Sequence, residues 1–303
     1  MAVENNKTRG ILILIFIMLV WGSSYSITKS VVATLPPMCF AFIRFLIATL
    51  CLLPVYLQHR RKQKDKLVTS DYVRLVFMGL TGVTGYYILF NFSLLYTSAS
   101  VGALIQGLIP ICIALFGILF LSEKVNQRQI AGIIISFAGV ALVGLISNDK
   151  TNGSNPILGN LLMLASVVCW TVYTLLSRKS NHLDSITTTF LGGCAGTLLC
   201  LPTAVYEYTH LDTPIRLGMF GWVAVVYLGA ISSALCYLLY NQALKNLPAA
   251  MVGNFLNLDI LVGVSIAVIF LHESITPWQI VGGVLILSGL FLSSTPTRPT
   301  LTS

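Results

Sequence analysis

The sequence predicts an all-α membrane protein with ten transmembrane helices, arranged as two inverted five-helix repeats. Three observations lead to this fold class: an apolar composition, ten long apolar segments, and a repeat that relates the two halves of the chain. Of the 303 residues, 56% are hydrophobic and only 9% are charged. A soluble domain carries about 25% charged residues, so this chain could not cover its surface with polar groups. The composition therefore indicates an integral membrane protein.

Ten apolar segments are long enough to cross a bilayer, which takes roughly 20 mostly apolar residues in a helix. Backbone polar groups find no water inside lipid, so each segment is expected to be a helix that satisfies its own hydrogen bonds. Transmembrane β-strands would be shorter and would alternate apolar with polar residues. The segments are 10–29, 37–57, 73–96, 99–121, 128–146, 157–177, 186–206, 217–242, 248–271 and 278–294.

Lysine and arginine are divided unevenly between the two sides of the predicted bundle. With the N-terminus placed inside the cell, thirteen of these residues fall in inner connections and three in outer ones. Positive charge collects on the cytoplasmic side of membrane proteins, so both termini are expected to be cytoplasmic. The basic segment HRRKQKDK at 59–66 contributes most to this difference and is interpreted as a topology anchor. The net charge of +8 therefore requires no nucleic acid, and no nucleic-acid partner is expected.

The chain repeats itself at an offset of 150 residues. Aligning 79–144 with 229–294 without a gap gives 15 identities in 66 positions. We therefore divide the chain into a first repeat, 1–148, and a second repeat, 149–303, with five segments in each. Because five is odd, the second repeat enters the membrane with the opposite orientation. Inverted repeats are the architecture of many secondary transporters, whose substrate site lies near the membrane midplane where the repeats meet.

Short motifs, taken in order, resemble the EamA type of the drug/metabolite transporter superfamily. They are W-G-S-S in the first segment, F-I-R-F-L-I-A in the second, and L-F-L-S-E or I-F-L-H-E followed by Q-I-x-G near the end of each half. The resemblance covers essentially the whole chain. It implies transport of small polar metabolites, often export of amino acids or related compounds, but it does not identify the substrate.

Asp259 lies eleven residues into the ninth segment, close to the bilayer centre. Insertion of an aspartate at that depth costs roughly 2.5–3.5 kcal/mol, so its side chain is expected to face protein or water. It could bind a cationic group of the substrate, or it could take up and release a proton during transport. The alternative is a structural carboxylate that is hydrogen-bonded between helices. We treat Asp259 as a candidate for proton coupling.

Two asparagines share the helix of Asp259. Asn254 and Asn257 lie roughly 60° apart around the helix axis, whereas Asp259 lies about 140° and 160° from them. An unbroken helix therefore cannot aim all three side chains into one cavity. Either the asparagines pair with a neighbouring helix, or they line the substrate site and Asp259 does not. Both remain candidate substrate-binding residues.

Further candidates for substrate binding are polar or aromatic side chains deep inside their segments. Gln106 lies near Pro110, which can kink a helix. The tryptophans lie deeper than an interfacial aromatic belt, and a tyrosine–asparagine pair at i, i+4 recurs in both halves. Packing between helices is the alternative for every member of this set. The set is Trp21, Tyr25, Tyr87, Asn91, Gln106, Trp170, Tyr237 and Asn241.

Arg44 and Glu273 are a candidate gating ion pair. Arg44 lies about seven residues inside the outer end of the second segment, and Glu273 lies at the outer end of the ninth. The alternative is that both side chains extend to the interface independently. Lys29, also near the outer end, competes for Glu273.

These observations predict a secondary transporter of small metabolites that works by alternating access and exports amino acids or related compounds. The alternatives are a drug or nucleotide-sugar carrier of the same superfamily, or an intramembrane enzyme acting on lipid. The chain shows no paired nucleophile and base, so no enzyme activity is expected.

The sequence also limits the groups that the protein is expected to bind. It has no ATP-binding phosphate loop, and its seven cysteines form no C-x-x-C pair, so no cofactor and no metal is expected. The expected partners are a small-molecule substrate and the lipid bilayer of the cell membrane. A monomer is the expected state, with a dimer as the alternative.

Overall fold

The protein is described by a computed structural model that covers residues 2–62, 67–121, 127–146, 154–180, 182–211, 215–246 and 249–293. For some residues inside these ranges, Asn254 and Asn257 among them, only the backbone is described. Within these ranges every regular element is a helix and none is a strand. The all-α prediction is therefore confirmed for the described part of the chain.

The helices follow the predicted segments closely. Their bounds are α1 (Ala2–Val32), α2 (Pro37–Lys62), α3 (Thr69–Gly79), α4 (Tyr86–Tyr96), α5 (Ala99–Gln106), α6 (Ile109–Leu121), α7 (Gln127–Ile146), α8 (Pro156–Lys179), α9 (Ser185–Thr209), α10 (Met219–Tyr227), α11 (Cys236–Asn246), α12 (Ala249–Phe270) and α13 (Pro277–Ser293).

Two π-helical segments occupy matching places in the two halves of the chain. Leu80–Gly85 continues α3 into α4, and Leu228–Leu235 continues α10 into α11. A π-helical turn holds more residues than an α-helical turn and often marks a functional site. In the second segment it leaves the neighbouring side chains of Ser232 and Ser233 both buried in the bundle.

The fourth predicted segment, 99–121, is divided where α5 ends and α6 begins. Pro110 has no N–H group and cannot make the helical hydrogen bond at this point. Gly107 and Leu108 instead donate to carbonyl groups three residues back, at 3.1 and 3.0 Å. The kink that Pro110 predicts is therefore a short break between two helices.

Capping side chains fix the start of two helices in the second half. The Asn155 side chain accepts a hydrogen bond from the N–H of Leu158 at the start of α8, where Pro156 occupies a first-turn position. Asp184 accepts from the N–H of Thr187 at the start of α9, at 2.8 Å. Both arrangements satisfy amide groups that have no partner inside the helix.

Seven helices of the described chain are long and apolar enough to cross a membrane. They are Gly10–Val32, Pro37–Lys62, Thr69–Tyr96, Ala99–Phe116, Pro156–Lys179, Ser185–Thr209 and Met219–Lys245.

The protein is therefore a multi-pass membrane protein. Three further predicted segments, 128–146, 248–271 and 278–294, coincide with α7, α12 and α13, whose described apolar parts are Gln127–Val143, Leu258–Phe270 and Pro277–Gly289.

Helices from the two halves of the chain pack against each other in pairs. The main pairs are α1 with α12, α2 with α9, α4 with α8 and α7 with α13. Each pair joins one helix from 1–148 with one from 149–303. The centre of the bundle is therefore walled by both halves, and polar side chains such as Arg44 and Asp259 are buried there.

A close approach between helices α3 and α9 depends on glycine. A Cβ atom at Gly79 would lie 2.6 Å from the carbonyl oxygen of Gly192, and one at Gly196 would lie 2.8 Å from the carbonyl oxygen of Gly79. Neither distance leaves room for a side chain. Small residues at such positions let transmembrane helices pack backbone to backbone.

Candidate functional site

A central cavity lies in the middle of the bundle, between helices of both halves. Its volume is about 40 Å³. A cavity needs about 10–15 Å³ of such volume for each water molecule, so this one holds roughly two to four waters. A metabolite therefore requires the surrounding helices to move apart. Six residues singled out from the sequence line this cavity: Trp21, Tyr25, Arg44, Tyr87, Trp170 and Asp259.

Aromatic rings form one wall of the central cavity. Trp21 of α1 and Trp170 of α8 meet edge to face, with ring centroids 5.3 Å apart. Trp170 also lies 5.0 Å from the ring of Tyr86 and 5.3 Å from that of Tyr237. Such pairs contribute about 0.5–1.5 kcal/mol each beyond burial. The wall therefore joins helices of both halves.

Arg44 brings a positive charge to the cavity. Its side chain is 1% exposed. Its Nε donates to the Ser233 hydroxyl at 2.7 Å, and its Nη2 donates to the hydroxyls of Ser232 at 2.9 Å and Tyr87 at 3.2 Å. The guanidinium carbon lies 4.4 Å from the centre of the Tyr87 ring, a cation–π contact. Its Nη1 has no hydrogen-bond partner within the described residues.

Asp259 brings a negative charge to the same cavity from α12. Its carboxylate is 8% exposed, and Oδ2 accepts a hydrogen bond from the Tyr25 hydroxyl at 3.0 Å. Among the side chains that the structure describes, none donates to Oδ1. Tyr86 also lines the cavity. The carboxyl group of Asp259 and the guanidinium group of Arg44 therefore border one shared space.

The two asparagines of the repeated tyrosine–asparagine pairs lie outside the lining of the central cavity. Asn91 donates to the carbonyl of Pro37 at 3.0 Å. Asn241 donates to the Tyr173 hydroxyl and accepts from Ser177, both at 2.8 Å. These bonds join neighbouring helices, so the geometry here agrees with the packing alternative.

Gln106 and Tyr237 also lie beside the cavity rather than in its lining. Gln106 donates to Met163 Sδ at 3.1 Å and to the Ser166 hydroxyl at 3.0 Å. The Tyr237 hydroxyl donates to the carbonyl of Gly82 at 2.7 Å. Tyr237 instead lines a second cavity of about 10 Å³. The side chains of Asn254 and Asn257 lie outside the described residues.

The predicted ion pair between Arg44 and Glu273 is wrong for this structure. Arg44 is drawn into the centre by its serine and tyrosine partners. Glu273 lies at the start of α5, where it accepts from the N–H groups of Ala99 and Ser100, both at 2.9 Å, and from the Ser100 hydroxyl at 2.6 Å. Its cationic neighbour is Lys29, at 4.0 Å. Helix N-termini attract carboxylates, which explains this placement.

Several lining residues were not predicted from the sequence. Ser24 follows Trp21 by three residues within the W-G-S-S motif, and Tyr86 precedes a predicted tyrosine, so position alone could have indicated both. Phe90 likewise precedes the predicted Asn91, whereas Ser232 gave no such signal. Ser232 reaches the cavity from a π-helical segment, whose extra residue per turn changes which side chains face inward.

The fold and the buried cavity define a multi-pass helical membrane protein with a polar site inside its bundle. The EamA-like transporter family model matches residues 8–145 and 157–295. The chain belongs to this family, and the resemblance inferred from its motifs is confirmed.

Related proteins agree with this assignment. An uncharacterised transporter from Archaeoglobus fulgidus is 28% identical over 291 residues, which are 96% of this chain and 98% of that protein. The uncharacterised transporter YyaM from Bacillus subtilis strain 168 is 28% identical over 280 residues, or 90% and 89% of the two chains. These names indicate transporters rather than enzymes.

One solved structure supports the fold. A crystal structure with 19% sequence identity matches with a TM-score of 0.65 and covers 94% of this chain and 96% of that chain. At this identity the match bears on the fold alone.

Proposed function

We propose that the protein is a secondary transporter that moves small polar metabolites, amino acids or related compounds, outward across the cell membrane. The observation that carries the proposal is the central cavity, where both halves of the chain contribute aromatic rings and opposite charges. Convergent polar groups in an otherwise apolar pocket are typical of small-molecule sites. Membership of a transporter family supports this function.

Alternating access follows from the proposed arrangement of the chain. In this proposal the chain crosses the membrane ten times, with both termini cytoplasmic, and the repeats 1–148 and 149–303 are inverted. Their helices pack in pairs that join the two halves, so relative movement of the halves opens the cavity first to one side and then to the other. The small volume of the cavity agrees with this, because a metabolite enters only when the halves separate.

Asp259 couples transport to protons in this proposal. It is a buried carboxylate in a membrane-embedded cavity, with one oxygen held by Tyr25. Ionisable residues inside membrane proteins commonly mark ion pathways and proton relays. The working unit is a monomer in the lipid bilayer, with the metabolite as its ligand.

Flux measurements in vesicles test the proposal. Full-length protein is reconstituted into vesicles that are loaded with one unlabelled amino acid, sugar or nucleoside, and entry of the same labelled compound is followed. A carrier gives saturable uptake with counterflow, whereas a channel gives neither. Protein-free vesicles are the control. Absence of counterflow for every compound would reject a carrier.

A pH gradient separates proton coupling from simple exchange. In wild-type vesicles the gradient should change the rate of uptake, and in Asp259→Asn this response should disappear because the side chain no longer ionises. An equal response of both proteins would show that Asp259 is not the coupling residue. Arg74→Gln, a substitution on the half-exposed face of α3, is a suitable control.

A further inference from the structure

We infer that the central cavity binds a neutral amino acid as its zwitterion, with the carboxylate at Arg44 and the ammonium group at Asp259. This inference rests on the proposed transport function and names its substrate class. It is carried by two features of the cavity: two buried ionisable groups of opposite sign with no salt bridge between them, and one unpartnered polar atom on each within the described residues.

The two charges do not neutralise each other. Arg44 and Asp259 both line the cavity, yet no salt bridge within 4.0 Å joins them among the described residues. Burying a charge without a charged partner is costly. A ligand that carries one negative and one positive group, held a short distance apart, would offset both costs at once.

The guanidinium group of Arg44 is positioned to bind a carboxylate. Its Nε and Nη2 are held by Ser233, Ser232 and Tyr87, which fixes the plane of the guanidinium group. Nη1 is the atom that remains without a partner in the described part of the chain. A planar guanidinium group binds carboxylates more strongly and with more directional control than an ammonium group does.

The carboxylate of Asp259 is positioned to bind an ammonium group. Tyr25 holds Oδ2, which orients the carboxylate and leaves Oδ1 as its unpartnered oxygen within the described residues. The rings of Trp21 and Trp170 line the same space. Their faces stabilise a cation nearby. A carboxylate beside aromatic rings therefore favours a primary amine over a neutral polar group.

Charge balance also sets the side-chain specificity. The cavity offers one cation and one anion, and the two ends of a zwitterion use both. An acidic or basic side chain on the substrate would bring a third charge without a partner, which disfavours binding. The proposed ligands are therefore amino acids with uncharged side chains.

Chemical derivatives test each end of the ligand separately. L-alanine, L-leucine and L-phenylalanine are titrated into purified full-length protein by calorimetry, each beside its methyl ester and its N-acetyl derivative. The ester lacks the carboxylate charge, and the N-acetyl compound lacks the ammonium charge. For at least one parent, both derivatives should bind at least about tenfold more weakly, because each loses a charge-assisted hydrogen bond. L-glutamate and L-lysine should show the same weakening.

Two substitutions assign each end to its residue. Arg44→Gln should remove the preference for the parent over its ester, while the preference over the N-acetyl compound stays. Asp259→Asn should do the reverse, and Arg44→Lys should restore part of the ester preference. Arg74→Gln and Asp71→Asn, which change an ion pair at the start of α3, should leave both preferences unchanged. The derivative series on wild-type protein stands even if a variant fails to fold.

The outcomes distinguish this inference from the proposed function. Equal binding of a parent and its two derivatives overturns the zwitterion site and leaves amino-acid transport intact. Counterflow of a sugar or nucleoside, with no amino acid bound or exchanged, overturns the substrate class and leaves a carrier. Vesicles with no counterflow of any compound overturn the transport function itself.

Discussion

The indole rings of Trp21 and Trp170 meet edge to face at the central cavity, although 149 residues separate them in the sequence. They occupy matching places in the two halves, but their nitrogen atoms differ. Trp21 Nε1 donates to the carbonyl oxygen of Ser232 at 3.0 Å. Trp170 Nε1 makes no such hydrogen bond to a carbonyl of the described residues, and its buried ring lies beside that of Tyr240. The two indole N–H groups are therefore held differently, although the rings occupy matching places.

This difference predicts distinct effects of two equal substitutions. Trp21→Phe removes the donor to the Ser232 carbonyl and should cost about 1–3 kcal/mol of stability beyond the loss of ring contacts. Trp170→Phe removes no such hydrogen bond to a carbonyl of the described residues, so it should lose less stability and should raise the KM for exchange. Thermal unfolding in detergent and counterflow kinetics measure the two effects. Equal losses of stability in both variants would contradict this assignment.

Glu273 should be coupled electrostatically to Lys29, and not to Arg44 as the sequence predicted. Lys29 is partly exposed, so a double-mutant cycle of Lys29→Met with Glu273→Gln should give a coupling of about 0.5–1 kcal/mol. The matching cycle of Arg44→Gln with Glu273→Gln should be additive, because the two residues share no hydrogen-bond partner in the described part of the chain. Chemical or thermal unfolding of the four proteins in each cycle measures both values. A larger coupling for Arg44 would restore the predicted pair.

The Asp184 carboxyl should make stability depend on pH. Burial raises the pKa of the Asp184 carboxyl. Hydrogen bonds from Thr187, together with His59, whose Nε2 lies 3.0 Å from Asp184 Oδ1, lower the pKa by more. The pKa therefore lies below its ordinary value of 3.8. Because the carboxyl has a lower pKa in the folded protein than in the unfolded chain, its charge stabilises the fold at pH values above the pKa of the unfolded chain. This contribution is lost as the pH falls through the pKa of the folded protein.

Asp184→Asn provides the measurement. Asparagine keeps the helix cap but has no charge. The difference in melting temperature between wild type and variant should therefore be largest near pH 7 and should shrink below about pH 3.8. A difference that stays constant over this range would show that the cap, and not the charge, stabilises the start of α9.

Sequence patterns predicted the helices well because hydropathy over about 20 residues is a local property. They also placed Trp21, Trp170 and Asp259 at the cavity, since polar and aromatic side chains deep in a segment must face protein. The partners of Arg44 could not be predicted in this way. Ser232 and Ser233 are more than 180 residues distant along the chain, and they reach Arg44 from a π-helical segment that the hydropathy pattern does not reveal.

Gly196 and Gly193 lie three residues apart on α9 but should respond oppositely to alanine. A Cβ atom at Gly196 would lie 2.7 Å from Val83 Cγ1 and 2.8 Å from the carbonyl oxygen of Gly79, so α3 and α9 would have to separate. Overpacking of this kind costs about 1–3 kcal/mol. A Cβ atom at Gly193 meets only the Thr49 hydroxyl, at 3.9 Å.

Gly193→Ala should therefore be neutral or stabilising by up to about 1 kcal/mol, because alanine loses less backbone freedom than glycine when a helix forms. Both variants share one helix and one chemical change, so each is the control for the other. Melting temperatures in the same detergent should rank Gly193→Ala at or above wild type and Gly196→Ala clearly below it. Equal melting temperatures for the two variants would show that the close approach of α3 and α9 contributes nothing measurable to stability.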